Sequence, residues 1–259
     1  MTSTKNEQVY LDLLNDILEN GIENMDRTGT GTLSVFSRQT RYDLRESFPL
    51  MTTKKVPFKS ILSELLWFIE GSGDERRLAE ILYGKHRSEL TDKRTIWTDN
   101  AQAPYWKDKA KFPGDLGAVY GRQWRYWKTP VNYQYHQIGV EVTDQLKTLI
   151  DGIKSDPYGR RHILTAWNPG ELGDMALPPC HMTSQFYVRN GEISCHLLIR
   201  SWDLFLGASF NIASYALFTM MIGQVCGLKP GELVISSVDT HIYLDHIDQI
   251  GKSTRLNSS

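Results

Sequence analysis

The chain has 259 residues, of which 41% are hydrophobic and 23% charged, enough to bury a core in one large or two small domains. Its 29 basic and 30 acidic side chains nearly cancel, which argues against a surface coated with nucleic acid. We see no signal peptide and no apolar run long enough to span a membrane. Cys180, Cys195 and Cys226 lack metal or disulfide spacing, so a reducing, cytoplasmic location is expected.

Hydrophobic spacing predicts the main elements in chain order. Helices are expected at residues 7–20, from Pro57 to about Glu70, at 140–154, at 211–226, and from His241 to Ile250. Strands are expected at Leu33–Leu44, His162–Trp167, Ser184–Ile199 and Leu233–Val238, the third of these as a hairpin. The hairpin has the strongest local signal, because Asn190-Gly191 suits the two positive φ angles of a type I′ turn.

Residues 72–115 are polar and lack clear periodicity. We interpret them as a small helical or loop-rich insert in a single catalytic domain spanning residues 1–250. Residues 251–259 are polar and without pattern, and we treat them as a separate tail.

Cys180 follows two prolines and precedes a predicted strand. A free cysteine is usually a small buried hydrophobe, and Cys195 and Cys226 fit that description. His181 is a poor candidate as a base for Cys180, because neighbouring side chains of a strand point to opposite faces.

Several arginines lie in turns or at strand ends: Arg27, Arg160, Arg161 and Arg200. Such positions suit bidentate capture of a phosphate, although each alone is also typical of a solvated surface charge. Asn211 opens an apolar helix, where it can be a helix cap or an amide that reads the edge of a base.

Together these segments make the chain resemble the thymidylate synthase family over nearly its whole length. The matching stretches are Asp26–Gly31, Phe48–Lys54, Glu64–Phe68, Thr95–Trp97, Gly114–Gly121, Gln123–Arg125, Asp156–Arg161, Ala166–Asn168, Met175–His181, Arg200–Asp203, Phe210–Ala216 and Asp239–Tyr243. So many ordered matches are very specific.

The resemblance implies that Cys180 is the thiolate that adds to C6 of dUMP, which makes C5 nucleophilic. It also implies that Arg200 favours this thiolate, that Glu64 manages proton transfer to O4, and that Tyr120 assists removal of the C5 proton. The implied nucleotide-binding residues are Arg27, Arg200 and Ser201 for the phosphate, Arg160 and Arg161 for the phosphate from the other subunit, Asn211 for the base, and His241 and Tyr243 for the ribose.

The resemblance implies a folate pocket for 5,10-methylenetetrahydrofolate, which would supply the methylene group and the hydride, and it implies no metal. Its residues would be Trp97, Asp203, Leu206, Gly207 and Phe210. The implied fold is α/β, more strictly α+β, with a large mixed sheet covered by helices in three layers. The implied partner is a second copy, joined sheet to sheet; no membrane and no nucleic acid are needed.

The chain departs from the family pattern in three places. Ser209 stands where the family motif has proline, and Val238 stands where glycine usually precedes the aspartate, so we expect altered backbone geometry there. The resemblance stops near Ile250, short of the segment that closes over the folate in family members. Because closure completes such a site, we expect nucleotide binding with impaired turnover.

Two other functions remain open. A hydroxymethyltransferase that acts on dUMP or dCMP would quench the same methylene with water. Asn211 favours uracil, since relatives acting on cytosine tend to carry aspartate there. The other alternative is a catalytically impaired nucleotide-binding protein, against which the intact set Cys180, Glu64 and Asp203 argues.

Overall fold

The computed structural model describes residues 4–25, 29–133 and 137–250, and these divide into two compact units. The first unit contains residues 1–57, 156–161 and 180–259, and the second contains residues 58–155 and 162–179. Arg27 and the tail 251–259 lie outside the described residues.

The first unit is built on a large mixed sheet. Its elements are helix α1 (Lys5–Asn20), strands β1 (Ile22–Asn24), β2 (Thr32–Asp43), β6 (His181–Arg189), β7 (Glu192–Asp203) and β8 (Lys229–Tyr243), and helix α8 (Ala208–Cys226). The strands are hydrogen-bonded in the order β1-β2-β8-β7-β6. Among these five described strands, β7 and β8 form the parallel pair, and α8 connects them, as a parallel pair requires a crossover.

The sheet is covered by helices whose sequences explain their burial. Helix α1 packs against β2 through an apolar stripe that includes Tyr10, Leu14 and Ile17, and α8 packs against β7 and β8. Helix α8 is apolar nearly all round and ends at Gly227, which has φ 70°, a left-handed conformation that glycine adopts without steric cost. The predicted fold class, a mixed α/β protein with a large sheet, is confirmed.

The second unit is mainly helical. Its helices are α2 (Phe58–Glu70), α3 (Glu75–Tyr83), α4 (Thr98–Ala101), α5 (Pro104–Lys107), α6 (Gly121–Arg125) and α7 (Gln145–Ser155). Its strands are β3 (Trp127–Tyr133), β4 (Gln137–Thr143) and β5 (Ile163–Thr165), of which β3 and β4 form a hairpin. The predicted insert at 72–115 forms α3, α4, α5 and connecting turns within this unit.

Two predicted helix starts are wrong. Residues 140–143 belong to β4, and α7 begins only after Asp144, whose carboxylate accepts the N–H of Lys147. His241 lies in β8 and not at the start of a helix; a 3-10 turn at Leu244–His246 follows. In both places pairing with a neighbouring strand satisfies the backbone and extends the strand.

The sheet is irregular beside Val238. The antiparallel ladder of β2 and β8 pairs Phe36 with Asp239 and Arg38 with Ser237 but has no pair at the intervening position. There Ser37 has φ 50°, in the left-handed region that residues other than glycine rarely adopt. The unusual backbone conformation near Val238 therefore lies at Ser37, on the neighbouring strand β2.

None of the helices in the described ranges is long and apolar enough to cross a lipid bilayer.

Candidate active site

Cys180 lies immediately before β6, where Pro178 and Pro179 lead the chain into the sheet. Arg200 on β7 donates its backbone N–H to the Cys180 carbonyl at 2.9 Å, and its Nη2 donates to the Cys180 Sγ at 3.7 Å. Both side chains are half-buried. Burial raises the pKa of the Cys180 thiol, and the Arg200 guanidinium opposes that rise. The arrangement supplies a thiol with a permanent positive charge beside it.

His181 points into the core beneath the sheet. Its Nδ1 lies 2.9 Å from the Tyr215 hydroxyl on α8, and both residues are buried. Burial lowers the pKa of His181 to about 3, so the imidazole stays neutral around pH 7. This agrees with the expectation that His181 does not act as a base for Cys180.

The parallel ladder of β7 and β8 brings the predicted site residues Ser201, Asp203 and His241 together with Asp239, to which no role was assigned. Ser201 pairs with Asp239, and Asp203 pairs with His241; alternate residues of a strand share a face, so these side chains form one row. His241 is buried, and its Nδ1 lies 3.1 Å from the Asp239 Oδ1. The rings of His241 and Tyr243 meet edge to face at 5.4 Å.

Asp203 shapes the turn into α8. Its Oδ1 accepts the backbone N–H groups of Phe205 and Leu206, both at 3.0 Å. Gly207 then precedes the first residue of the helix. Leu206 is 49% exposed. The turn therefore presents an apolar side chain and a carboxylate next to each other.

Asn211 is not the helix cap that its position in the sequence suggested. Helix α8 begins at Ala208, so Asn211 lies in its first turn, as the fourth residue, and is half-exposed. A Cβ atom on Gly207 would lie 3.6 Å from the Asn211 Oδ1, which places the amide beside that glycine. The amide is thus available to a ligand rather than consumed in capping.

Lys54 is a residue of this region to which sequence reasoning gave no role. Its Nζ donates to the backbone carbonyls of Phe205 and Leu206, the latter at 3.2 Å, and lies 5.6 Å from the centre of the Phe210 ring. Burial lowers its pKa, and Asp203 opposes this. The signal was present, because Lys54 ends one of the matching stretches.

Arg160 and Arg161 are exposed on the first unit. The Arg160 carbonyl accepts the Gln185 side-chain amide at 3.1 Å, which fixes the main chain of this segment to β6. Among the described residues neither guanidinium has a hydrogen-bond or ion-pair partner, so both charges remain available.

Glu64, Trp97 and Tyr120 lie together in the second unit. The Trp97 Nε1 donates to Glu64 Oε1 at 2.7 Å, and the rings of Trp97 and Tyr120 meet edge to face at 5.8 Å. Burial raises the pKa of Glu64, and the indole hydrogen bond offsets part of that rise. The trio supplies a carboxyl group that can take up a proton more readily than an ordinary glutamate.

A mixed α/β fold that holds a thiol against a guanidinium is suited to covalent catalysis by a transferase. Comparison with known families agrees with that class, since the family model described as thymidylate synthase matches residues 8–257. The chain belongs to the thymidylate synthase family, which implies a methyltransferase of thymidylate biosynthesis. The matched range extends past Ile250, where the sequence analysis placed the end of the resemblance.

Proposed function

We propose that the protein methylates dUMP at C5 to give dTMP, with 5,10-methylenetetrahydrofolate as the donor. The observation that carries this proposal is the contact of Arg200 Nη2 with Cys180 Sγ. The nearby guanidinium favours the thiolate form that addition to C6 of uracil requires. Addition moves electron density to C5, and expulsion of the thiolate at the end restores the ring double bond.

The row of side chains on β7 and β8 supports the binding of a nucleotide. Ser201 of this row and Arg200, whose guanidinium lies beside Cys180, are proposed to donate to the phosphate, and His241 and Tyr243 offer polar atoms to the ribose. The Asn211 amide has both a donor and an acceptor, which match O4 and N3 of uracil. Arg27 is assigned to the phosphate by the family motif.

The turn after β7 is a suitable place for the folate. Asp203 uses Oδ1 for backbone N–H groups, which leaves Oδ2 for a polar ring edge, and Leu206, Gly207 and Phe210 give an apolar surface. Trp97 is assigned to the same ligand. When bound, the folate supplies the one-carbon unit and the hydride.

Proton transfers are assigned to the second unit. Glu64 has a raised pKa, which suits a group that exchanges protons with O4 through water. Tyr120 is assigned to removal of the C5 proton. Trp97 contacts both residues, Glu64 through its hydrogen bond and Tyr120 through its ring, so the two groups lie in one cluster.

We further propose a homodimer in which Arg160 and Arg161 bind the phosphate in the partner's site. Both guanidinium groups are exposed and lack partners among the described residues. The sheet face opposite α8 also carries exposed apolar side chains, among them Tyr187 and Leu198.

The test uses dUMP labelled with tritium at C5 together with methylenetetrahydrofolate. Release of tritium with formation of dTMP and dihydrofolate is the expected result. Formation of hydroxymethyl-dUMP would mean that the protein is a hydroxymethyltransferase instead. Absence of tritium release would mean that the protein catalyses no reaction at C5. Cys180→Ala is expected to abolish release, whereas Cys226→Ala, the matched control at the far end of α8, keeps it.

A further inference from the structure

The nucleophile and the base-reading amide lie on different elements of the first unit. Cys180 precedes β6, and Asn211 lies in the first turn of α8. A nucleotide held by Asn211 presents its C6 to the thiol only if the start of β6 and the start of α8 keep a fixed separation. Small errors of position in such a pair are costly to the reaction rate.

One hydrogen bond joins these two elements close to both residues. Tyr215 lies four residues after Asn211, and residues four apart share a helix face. Its hydroxyl lies 2.9 Å from Nδ1 of His181, the residue that follows Cys180. The two rings also meet edge to face at 5.4 Å.

The surroundings make this bond a firm one. Tyr215 and His181 are 4% and 8% exposed, and Tyr215 packs edge to face on Phe218. The imidazole is neutral because burial lowers its pKa, so it offers one donor and one acceptor nitrogen, of which Nδ1 is engaged by Tyr215.

The strand itself needs such an anchor. The ladder of β6 and β7 shifts register between His181 and Thr183, and a bulge of this kind weakens pairing locally and redirects side chains. At this point Arg200 bonds the Cys180 carbonyl and contacts its thiol. The His181–Tyr215 bond adds a side-chain contact to α8 at the short end of β6 that the bulge separates from the rest of the ladder.

We propose that Tyr215 is a positioning residue, which acts through His181 to hold Cys180 in place against Arg200 and opposite Asn211. This inference rests on the proposed function for the role of Cys180. The Tyr215 hydroxyl then raises the reaction rate and the reactivity of the Cys180 thiol without contacting the substrate.

The first variant is Tyr215→Phe, which removes the hydroxyl and keeps the ring. Tritium release at saturating dUMP is expected to fall about tenfold, the rate equivalent of one lost hydrogen bond. The dissociation constant of dUMP is expected to change less than about threefold, since no group that contacts dUMP is removed. Tyr83→Phe is the control, because it also removes one tyrosine hydrogen bond, which the last residue of α3 donates to the Arg94 carbonyl.

A second readout does not depend on turnover. The rate of Cys180 alkylation by iodoacetamide, followed by mass spectrometry from pH 6 to pH 10, is expected to shift to higher pH in Tyr215→Phe. His181→Asn, whose amide can replace Nδ1, is expected to retain more of the wild-type profile than His181→Leu. Combining His181→Leu with Tyr215→Phe is expected to add little.

The outcomes separate the two proposals. If the wild-type protein releases no tritium, the proposed function fails, while a shifted alkylation profile still supports the anchor. If Tyr215→Phe matches Tyr83→Phe in both readouts, the positioning role is refuted. A loss of stability without a shift in the alkylation profile would also refute it, because it assigns Tyr215 to packing alone.

Discussion

Glu64 illustrates how a single donor sets the proton affinity of a carboxyl group. Removing the indole N–H in Trp97→Phe takes away the contact that opposes burial, so the pKa of Glu64 is expected to rise further. The limb of the pH–rate profile that Glu64 governs then moves to higher pH, whichever protonation state is active. Difference infrared titration of the carboxyl group checks this directly.

The control for this change is Trp106→Phe. Trp106 is another buried tryptophan of the second unit, but its Nε1 donates to the backbone carbonyl of Asp115. It is expected to leave the Glu64 titration in place. A Glu64 pKa that falls or stays constant in Trp97→Phe contradicts the prediction.

His181 makes the stability of the fold depend on pH. Its pKa is about 3 in the folded protein against an ordinary value of 6.5, so the unfolded chain binds the proton more readily. Its contribution is complete above about pH 6.5 and is lost as pH falls toward 3, at up to about 1.4 kcal/mol per pH unit.

In His181→Asn, urea unfolding at a series of pH values is therefore expected to show a shallower decline between pH 6.5 and pH 4. The slope is the readout, because the substitution also changes stability at neutral pH. His86→Asn, at an exposed histidine, is expected to keep the wild-type slope. Parallel curves for the wild type and His181→Asn would contradict the assignment.

At the scale of elements, the start of α8 buries a hydroxyl group that makes no hydrogen bond within the described part of the chain. Ser209 is completely buried, and its hydroxyl has no hydrogen-bond partner among the described residues. A buried hydroxyl without a partner costs free energy, so Ser209→Ala is expected to raise the free energy of unfolding by about 1 kcal/mol.

Ser194→Ala is the matched control, for which the opposite change in the free energy of unfolding is expected. The Ser194 hydroxyl accepts the N–H of Glu232 at 3.0 Å and so links β7 to β8. Its loss is expected to lower the free energy of unfolding by about 1 kcal/mol. Urea denaturation of both variants checks the pair, and equal signs of the two effects would contradict it.

Elements with strong local signals could be predicted from the sequence. The hairpin turn has φ 52° at Asn190 and φ 75° at Gly191, as the Asn-Gly pair indicated, and α1, α2 and α8 lie within a few residues of their predicted bounds. The failures at 140–143 and at His241 both lie where pairing with another strand decides the structure. Residues 140–143 pair with the nearby strand β3, and His241 pairs with Ser34 and Asp203. Hydrophobic periodicity within a segment identifies neither partner.

The candidate site could also be predicted only in part. Ordered motifs identified Cys180, Arg200 and the β7–β8 row, because these residues lie in short continuous stretches. Lys54 and Tyr215 gained roles only from the structure, since their contacts with Phe205 and His181 join segments far apart in the chain.

At the scale of the whole molecule, the proposed homodimer is testable through the open face of the sheet. Leu198 is exposed on β7, where it pairs with Thr183 and Ser236, and Tyr187 and Val238 of the same sheet are also exposed. A carboxylate buried there without a partner costs several kcal/mol in an interface. Leu198→Asp is therefore expected to shift the protein toward monomers in sedimentation velocity and to reduce tritium release together with the dimer.

Val140→Asp, at an exposed valine of β4, is the matched control and is expected to leave the sedimentation coefficient unchanged. Circular dichroism of both variants checks that the chains remain folded. A Leu198→Asp protein with the wild-type sedimentation coefficient would place the dimer contact elsewhere.

The pairing of β2 with β8 also sets a schedule for biosynthesis. Strand β2 leaves the ribosome early, but β8 follows about 190 residues later, which corresponds to about 10–40 s of translation at typical rates. During that time one long edge of β2 lacks its native neighbour, and such edges favour association between nascent chains. Slower growth at low temperature lengthens this interval, whereas a chaperone that covers β2 prevents association during it. The yield of folded protein is therefore expected to respond more to chaperone supply than to growth temperature.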